Sequence, residues 1–538
     1  MAEPKPNAPT DTEPKSPPNT PSEAMPEAKI GTEIDDFFGS NEQAKEASRH
    51  EQHMTVKYAI QYYYPAMIWA ILMAAPIIME GYETALVPTF FSYVAFEQLY
   101  GSEVGLMDGK PHIPAMWQSG ITISAAVGQL IGLFITPFVI NRFGYKRSTL
   151  SGLTAAALFL LITFSSSWVS HNFKLPVYLL GELLLGIPWG LFQGLTLPYV
   201  SDIVPLKLKG PATTMINIFW LLGQLISSGV LRAAQEIESP NWAARAPMLI
   251  QYAWILPLTC IVCLSPESPL YLIRTQQDDK AARTLRCLSR DPHYDLQGSL
   301  DALKTIDAHE RDDSTSMGFS SCFKGTNLRR TEIAVVVYLT QQLVGTPLIF
   351  YGVKLLQKGG LDQGMSLAVS MLTYGLCIIS TLASMVAMRR FGRRTMWIGG
   401  LGIETACLII IGSTGCVLKR SYLRWVISVF LGIFAIIYNL TIGPVCYTIV
   451  AETPSTRLKA ATNSVARGMY ICLTIVNLFL VPNLLEDKPS GWGLGVRAAL
   501  VWAGSASLCL AWAWFRLPEM KDKTPAEIDI MFAERKTK

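Results

Sequence analysis

The chain has 538 residues; half of them are hydrophobic and 16% are charged, whereas a typical soluble domain has about a quarter charged residues. This composition indicates a membrane protein, and the net formal charge of +4 is too small to indicate a nucleic-acid-binding protein. The ten cysteines lie mostly in apolar runs and show neither a disulfide framework nor the spacing of a metal site. We therefore expect no metal and no cofactor.

Apolar runs divide the chain into two sets of six candidate spans, because about 20 apolar residues in a helix cross a hydrocarbon core of roughly 30 Å. Residues 1–57, rich in Pro, Glu and Ser, are predicted to form a disordered tail. Six spans are predicted within 58–264 and six within 332–517, with a polar linker at 265–331 and a tail at 518–538. The predicted fold class is an all-α membrane protein with twelve transmembrane helices in two six-helix bundles.

Basic loops alternate with less basic ones along these spans. NRFGYKR (141–147), PLKLKG (205–210), the central linker, RRFGRR (389–394) and STRLK (455–459) all fall on one side when twelve spans are threaded. Positively charged loops stay in the cytoplasm, so this side and both termini are predicted to be cytoplasmic. The exceptions on the other side are Lys354, Lys358, Lys419, Arg420 and Arg424.

Three pairs of motifs recur in the same order at nearly one spacing. RFGYKR from Arg142 matches RFGRR from Arg390, Asp202 matches Glu452, and Pro266-Glu267 matches Pro518-Glu519. The recurrence indicates two halves of one six-helix design, with a substrate site between the halves.

Two acids, Glu80 and Glu83, lie inside the first apolar run in MEGYETALV (79–87). A charge at the centre of a single span costs about 2.5–3.5 kcal/mol, so such acids usually face a bundle interior or a water-filled cavity. Their spacing of three residues predicts that both point into one cavity. The nearest cationic candidate is Arg467, in the eleventh run. The three residues could form a proton switch or a static ion pair between the halves.

Eight motifs in order resemble the sugar-porter family of the major facilitator superfamily, and more narrowly the fungal maltose and α-glucoside permeases. The resemblance covers roughly Tyr58 to Phe532 and is carried by MEGYETAL (79–86), GIPWGLFQGLTLPYVSDIVP (186–205), WLLGQLISSGV (220–230), SPESPLYLIR (265–274), SCFKGTNLRRT (321–331), YNLTIGPVCYTIVAETPS (438–455), VARGMY (465–470) and LPEMKDKTPAEID (517–529).

The resemblance implies proton coupling through Glu80, Glu83 and Arg467. The sequence departs from the family at Gln129, where these permeases usually have a further acid, and at Gly468, where an asparagine often follows the arginine. These departures bear on the stoichiometry and the existence of coupling.

The resemblance also places substrate-binding amides in the cavity. Amides suit sugar hydroxyls because they donate and accept hydrogen bonds together, although an amide in a membrane helix equally joins helices. Pro347 stands where many hexose carriers have an asparagine, which puts ordinary hexose recognition in question. The expected substrate-binding residues are Gln224, Gln341, Gln342, Asn439 and Asn477.

A cytoplasmic charge network is implied at the basic loops, latching the two bundles in an outward-open state. The alternative from the residues alone is that the basic side chains only fix the topology. The expected members are Arg142, Arg147, Asp202, Glu267, Arg390, Arg393, Arg394, Glu452 and Glu519.

These observations predict a secondary transporter and not an enzyme, since no nucleophile, metal or cofactor constellation surrounds the intramembrane acids. The expected function is transport of an α-glucoside or related sugar, coupled to protons, by alternating access of a monomer in the plasma membrane. The alternatives are a carrier for a polyhydroxylated or glycosylated secondary metabolite and a non-transporting sugar sensor.

Overall fold

The computed structural model describes residues 41–101, 106–107, 110–316, 322–416, 423–454, 459–486, 491–520 and 532. Among these residues the strands are two short segments, Leu106–Met107 and Lys110–Pro111, which pair antiparallel. Eleven helical stretches of the described chain are long and apolar enough to cross a membrane. The prediction of an all-helical membrane protein is confirmed.

One of these stretches contains two spans. The helix Ala115–Ser165 has 51 residues, or roughly 75 Å at 1.5 Å per residue, which is more than twice the thickness of a hydrocarbon core. Gly144 lies within it with φ 79° and ψ 175°, a backbone conformation that is essentially restricted to glycine. The chain therefore breaks at Gly144 into spans 2 and 3, which gives the twelve spans predicted.

The N-terminal half contains spans 1–6. Span 1 is divided between two helices, and so is span 6. Short helices also lie at Val94–Tyr100 and, as a 3₁₀ turn, at Ser166–Trp168. The spans are Tyr64–Ala74 with Pro76–Phe90 (span 1), the two parts of Ala115–Ser165 (spans 2 and 3), His171–Ile203 (span 4), Leu206–Ala234 (span 5) and Pro240–Leu249 with Tyr252–Leu264 (span 6).

The C-terminal half contains spans 7–12, and spans 7 and 10 are the broken ones. A 3₁₀ turn, Gly495–Ala498, leads into the last span. The spans are Gly325–Leu343, Pro347–Phe350 and Gly352–Lys358 (span 7), Gln363–Arg390 (span 8), Arg393–Thr414 (span 9), Leu423–Leu440 with Ile442–Glu452 (span 10), Lys459–Leu485 (span 11) and Ala499–Arg516 (span 12).

Short helices outside the spans pack together beside the basic loops. The linker contains Pro269–Arg274, Asp278–Leu288 and Leu296–Ser316. The helix Glu42–His53 precedes Val56–Tyr62 and packs against Leu296–Ser316. The prediction of a disordered tail up to residue 57 is therefore wrong for this stretch, because Asn41 caps the helix and the linker provides a packing surface. Residues 1–40 lie outside the described part.

Spans 2 and 4 cross closely enough to set the position of two glutamines. A methyl group at Gly128 or at Gly190 would overlap a backbone carbonyl of the facing span, so only small residues permit this approach. Gln129 is adjacent to Gly128, and Gln193 lies one turn beyond Gly190. The crossing therefore brings both amides beside span 1.

The two halves share an apolar interior. The largest buried cluster contains residues of both halves, among them Tyr82, Phe90, Leu348 and Val445. Trp220 of span 5 also meets Phe350 of span 7 edge to face, with ring centroids 5.4 Å apart. We call the end of the molecule that carries loops 141–147 and 389–394 the basic end, and we call the other end of the molecule the opposite end.

Candidate functional site

Glu80 is the centre of a partly buried polar cluster that joins the two halves. Its side chain is 2% exposed, and its Oε1 accepts hydrogen bonds from Gln129 Nε2 over 3.0 Å and from Gln193 Nε2. The Gln193 Oε1 in turn accepts from Arg467 over 3.3 Å. Gln193 therefore links an acid of the N-terminal half to the arginine of span 11.

Arg467 lies among aromatic rings. Its guanidinium carbon is 4.7 Å from the ring centroid of Tyr470 and 5.8 Å from that of Tyr338, distances at which a cation attracts the face of a ring. The Tyr447 side chain is also close enough to interact with the charge of Arg467. A half-buried arginine such as Arg467 needs such partners because desolvation of its charge is expensive.

Glu83 does not join this cluster. Its Oε2 accepts from Gln251 Nε2 over 2.5 Å. Gln251 belongs to span 6, so this contact stays within the N-terminal half. Glu80 and Glu83 therefore have different hydrogen-bond partners on different helices, and a shared cavity for the two acids stays a prediction.

Three of the predicted substrate amides hydrogen-bond within the C-terminal half. Asn477 donates to Gln342 Oε1 over 3.4 Å and accepts from Trp502 Nε1 over 3.3 Å. Asn439 donates to the Ala435 carbonyl of its own helix over 3.0 Å. These bonds join spans 7, 11 and 12 or satisfy one helix, which is the interhelical role of membrane amides.

The other two predicted amides have weaker contacts. Gln341 donates to the Gly443 carbonyl over 3.4 Å, where span 10 is broken. Gln224 is 1% exposed, and among the described residues its Nε2 has no hydrogen-bond partner. A buried amide donor without a partner is costly, so Gln224 has a free bond to offer to a ligand.

The opposite end is closed by a buried charged cluster that the sequence did not predict. Lys354 of span 7 pairs with Glu486, which follows span 11. Gln118 of span 2 donates to Glu486 Oε1 over 2.9 Å and accepts from Lys354 Nζ over 2.5 Å. His112 Nε2 lies 3.6 Å from the same Glu486 oxygen. The ion pair belongs to the C-terminal half, and Gln118 joins it to the N-terminal half.

The charge of Glu486 is set by this cluster. Burial by itself would raise the pKa of the carboxyl, but the Lys354 ammonium and the Gln118 amide lower it to about 2. Asn483 Nδ2, one turn before Glu486, also donates to the Ser119 hydroxyl of span 2 over 3.2 Å. Hydrogen bonds between the halves therefore close the opposite end around a carboxylate.

Two signals in the sequence could have indicated this cluster. Lys354 is an exception to the charge bias of the loops, and Glu486 is an acid at the first residue after an apolar run. The structure gives the reason for the exception: Lys354 is 3% exposed and neutralises a buried acid. Gln118 and Gln193 carried no comparable signal, because isolated amides in apolar runs are common.

Matching caps occur at the basic end of each half. Glu267 accepts from the backbone N–H groups of Tyr145 over 2.9 Å and Lys146 over 3.2 Å. Glu519 accepts in the same way from Arg393 over 2.9 Å and Arg394 over 3.1 Å. The repeated motifs therefore build the same carboxylate-to-loop contact twice, each time within one half.

The remaining members of the expected charge network lie within one half, at exposed loops or outside the described part of the chain. Asp202 accepts from the Ser268 hydroxyl over 2.7 Å, within the N-terminal half. Arg142 and Arg147 are exposed at the loop, as is Arg390 at the corresponding loop of the other half. The side chain of Glu452 lies outside the described part. A latch between the halves stays a prediction.

The fold can now be compared with known proteins. The chain matches the family model described as Sugar (and other) transporter over residues 69–532. It is 33% identical over 503 residues to the general alpha-glucoside permease of Saccharomyces cerevisiae, covering 92% of this chain and 80% of the relative. It is 32% identical over 495 residues to the maltose permease MAL61 of the same species, covering 91% and 79%.

A solved structure has the same fold. The major facilitator superfamily proton:xylose symporter XylE, bound to 6-bromo-6-deoxy-D-glucose, superimposes with a TM-score of 0.66 at 19% identity, covering 88% of this chain and all of that one. The fold and the site thus define a multi-pass integral membrane transporter of the major facilitator type, and not an enzyme. The chain belongs to the sugar transporter family, as the resemblance indicated.

Proposed function

We propose that the protein imports an α-glucoside such as maltose across the plasma membrane together with protons. The relatives named as α-glucoside and maltose permeases support the substrate class, and the neighbour named as a proton:xylose symporter supports the coupling. The basic loops support a cytoplasmic basic end with both termini on that side.

The observation that carries the coupling is the Glu80–Gln193–Arg467 connection between the halves. A Glu80 carboxylate attracts Arg467 in a buried site where charge interactions are strong. Protonation removes that attraction, so the energy that holds span 11 near span 4 depends on whether a proton is bound. Proton binding can then bias the equilibrium between the two access states.

Sugar recognition is assigned to the polar groups that remain available between the halves. Gln224 offers an amide donor, and within the described part of the chain the Gln341 amide makes one long contact, to span 10. Tyr447, whose side chain is 46% exposed on span 10, offers a ring and a hydroxyl. A disaccharide presents apolar ring faces and many hydroxyls, which suits aromatic and amide side chains together.

The test is uptake of labelled maltose and glucose in transporter-deleted yeast, with and without an inward proton gradient, for the wild type and Glu80→Gln. We expect gradient-dependent accumulation of maltose in the wild type. In Glu80→Gln we expect maltose counterflow without accumulation, because an amide keeps the shape of the acid but takes up no proton. The matched control is Glu404→Gln, since Glu404 of span 9 is fully buried and has no hydrogen-bond partner among the described residues.

Two results would contradict the proposal. If wild-type protein at the cell surface moves neither sugar, the α-glucoside assignment is wrong, and a secondary-metabolite carrier or a sensor becomes the better description. If Glu80→Gln still accumulates maltose in proportion to the proton gradient, the coupling does not pass through Glu80.

A further inference from the structure

Gln193 of span 4 lies between a carboxylate and a guanidinium. Its Nε2 donates to Glu80 Oε1, and its Oε1 accepts from Arg467 over 3.3 Å. In the described part of the chain no ion pair joins Glu80 directly to Arg467. The hydrogen bonds therefore lead from the acid of the N-terminal half to the arginine of the C-terminal half through this one amide.

The two charges determine which way the Gln193 amide points. A guanidinium only donates hydrogen bonds, and an ionised carboxylate only accepts them. The amide oxygen must therefore face Arg467 and the amide nitrogen must face Glu80, because a turned amide would place N–H groups against N–H groups. The hydrogen bonds run in one direction, from the cation through the amide to the anion, and in such a chain each bond polarises the next.

A second amide contacts the same carboxylate oxygen without reaching the other half. Gln129 of span 2 donates to Glu80 Oε1 over 3.0 Å. Within the described residues Gln129 makes no hydrogen bond to the C-terminal half. The two glutamines therefore make the same contact with Glu80, and they differ in that only Gln193 continues to Arg467.

Glu80 has one carboxylate oxygen that the amides leave free. Its Oε2 is buried and has no hydrogen-bond partner among the described residues. A proton from water that bonds to Oε2 leaves Oε1 as the carbonyl oxygen of a neutral acid, so both amides keep their acceptor but lose its charge. A hydrogen bond to a charged group is about twice as strong as a neutral one. Protonation therefore weakens the chain at Gln193, and release of the proton to water reverses the step.

The cation that faces Glu80 in this cluster is Arg467. The other titratable side chains that interact with Arg467 carry no charge at neutral and acidic pH. They are three tyrosines and one cysteine of the C-terminal half, Tyr338, Tyr447, Tyr470 and Cys446. Within this cluster, the charge that changes with pH is therefore that of Glu80.

Spans 1 and 4 contain three further acids, which lie outside this chain of hydrogen bonds. Glu83 accepts from Gln251, and Asp202 accepts from Ser268. Glu182 is 1% exposed, and its carboxylate oxygens have no hydrogen-bond partner among the described residues. A test that varies the pH must therefore include a variant of Glu80 itself.

The contact between Gln193 and Arg467 lies toward the basic end of the molecule. Gln193 is in the last third of span 4, which ends at the basic end, and Arg467 is in the first third of span 11, which begins there. The contact therefore holds the halves together on the basic side of their centre. When it weakens, spans 4 and 11 can separate at the basic end while the Lys354–Glu486 cluster keeps the opposite end closed.

We propose that Gln193 is a positioning residue for proton coupling, whose amide transmits the protonation state of Glu80 to Arg467 and so determines how firmly the basic end is closed. This inference rests on the proposed proton symport. With Glu80 ionised, the chain of hydrogen bonds holds spans 4 and 11 together. With Glu80 protonated, the basic end opens and releases sugar and proton on that side.

The test is the distance between the halves at the basic end, measured by double electron–electron resonance on the purified full chain in lipid nanodiscs. The ketone amino acid p-acetylphenylalanine replaces Phe143 and Phe391, which are 47% and 56% exposed in the two repeated loops, and carries the spin labels without a new cysteine. From about pH 8 to about pH 5 the ratio of open to closed basic ends should rise by about fivefold or more, because a charged hydrogen bond becomes a neutral one.

Two variants of Gln193 should abolish this rise. Gln193→Met keeps a side chain of similar size and removes both hydrogen bonds, so the ratio should no longer depend on pH. Gln193→Asn keeps an amide that is one methylene group shorter and does not reach both partners. It should give the same loss, which keeps the test available if the methionine variant does not fold. Glu80→Gln should also abolish the rise, because it takes up no proton.

Gln129→Met is the matched control. It removes the equivalent hydrogen bond to Glu80 Oε1 and leaves the connection from Glu80 through Gln193 to Arg467 intact. The rise with falling pH should therefore be retained in this variant, whatever its midpoint. A loss as complete as in Gln193→Met would mean that both amides only support the carboxylate, and would overturn the special role of Gln193.

The other outcomes separate this inference from the proposed function. A rise that persists in both Gln193 variants would show that Arg467 senses Glu80 without the amide; it would overturn the inference and leave the proposed symport standing. A wild type without any rise, or a rise that persists in Glu80→Gln, would overturn it as well. The distance measurement uses no sugar, so a wild type that fails to accumulate maltose contradicts the proposed function alone.

Discussion

Gln118 of span 2 joins the N-terminal half to the charged cluster of the opposite end, whose ion pair belongs to the C-terminal half. It makes two charge-assisted hydrogen bonds, one to Glu486 over 2.9 Å and one from Lys354 over 2.5 Å. The Lys354–Glu486 pair lies within the C-terminal half. The substitution Gln118→Ala would therefore remove these two bonds between the halves without leaving either charge unpaired.

The magnitude follows from these two bonds. A hydrogen bond to a charged group contributes about 1.5–3 kcal/mol, so the two together contribute about 3–6 kcal/mol to the closed end. Water can occupy the space left by the shortened side chain and recover part of this energy, so we expect a net loss of about 1.5–3 kcal/mol. Because 1.4 kcal/mol corresponds to a factor of ten, the open fraction should rise by about ten- to a hundredfold.

The assay is the rate at which a membrane-impermeant maleimide labels Thr122→Cys in intact cells, in a Cys416→Ser background. Thr122 lies one turn from Gln118 on span 2 and is buried in the closed structure. Opening of the end should expose the new thiol, so the rate should rise by about tenfold or more in Gln118→Ala.

The control variant is Ser124→Ala on the same helix. Its hydroxyl bonds the carbonyls of Ile121 over 2.7 Å and Leu179 over 3.2 Å, both in the N-terminal half, so the labelling rate should not change. A rate in Gln118→Ala within about twofold of the parent protein, or less than about 0.4 kcal/mol, would show that Gln118 does not hold the end closed.

Two further predictions concern pH and the first loop. Glu486 has a pKa lowered to about 2, and a lowered pKa gives stability that is present above the ordinary value near 4.5 and is lost as the pH falls toward 2. In a His112→Asn variant the same labelling rate, divided at each pH by the rate for a small free thiol because only the thiolate reacts, should therefore be constant from about pH 7 to 5 and rise below about pH 4; a rise of this ratio already at about pH 6 would refute this. Gly144→Ala should lower the melting temperature of the purified protein, because its φ of 79° and a Cβ 2.7 Å from Glu267 Oε2 together cost about 1–3 kcal/mol or more. Gly120→Ala, whose Cβ would have its nearest neighbour at 3.5 Å, should melt like the wild type, and equal melting of both variants would argue against strain at Gly144.

The twelve spans could be predicted because the bilayer imposes a simple length rule on apolar runs. The break at Gly144 could also be expected, since the basic loop RFGYKR and its glycine recur in the second half. The carboxylate caps of Glu267 and Glu519 show why these motifs are repeated: each acid accepts the backbone N–H groups of one loop. These features depend on residues close in sequence or on an internal repeat.

The partners of the buried acids could not be predicted in the same way. Helical periodicity places Glu80 and Glu83 on one face, but the close crossing of spans 2 and 4 draws Glu80 to Gln193, while Gln251 of span 6 holds Glu83. Gln193 and Gln251 lie more than 100 residues away from these acids in the sequence and are brought near by the packing of the helices. The sequence of one helix therefore does not show which side chains of other helices it contacts. For the same reason, the contacts of Gln118 with Glu486 and Lys354 could not be predicted.

The sequence by itself determined the membrane environment, the span count, the two-fold repeat and the family, because each depends on composition, local length or ordered motifs. Only the tertiary structure decided which polar residues meet. It showed that Lys354 is the partner of Glu486, that Asn477 joins helices, and that Gln251 is the partner of Glu83. The physical reason is that these buried polar groups hydrogen-bond to partners on other helices, and the packing of the twelve spans determines which partners are within reach.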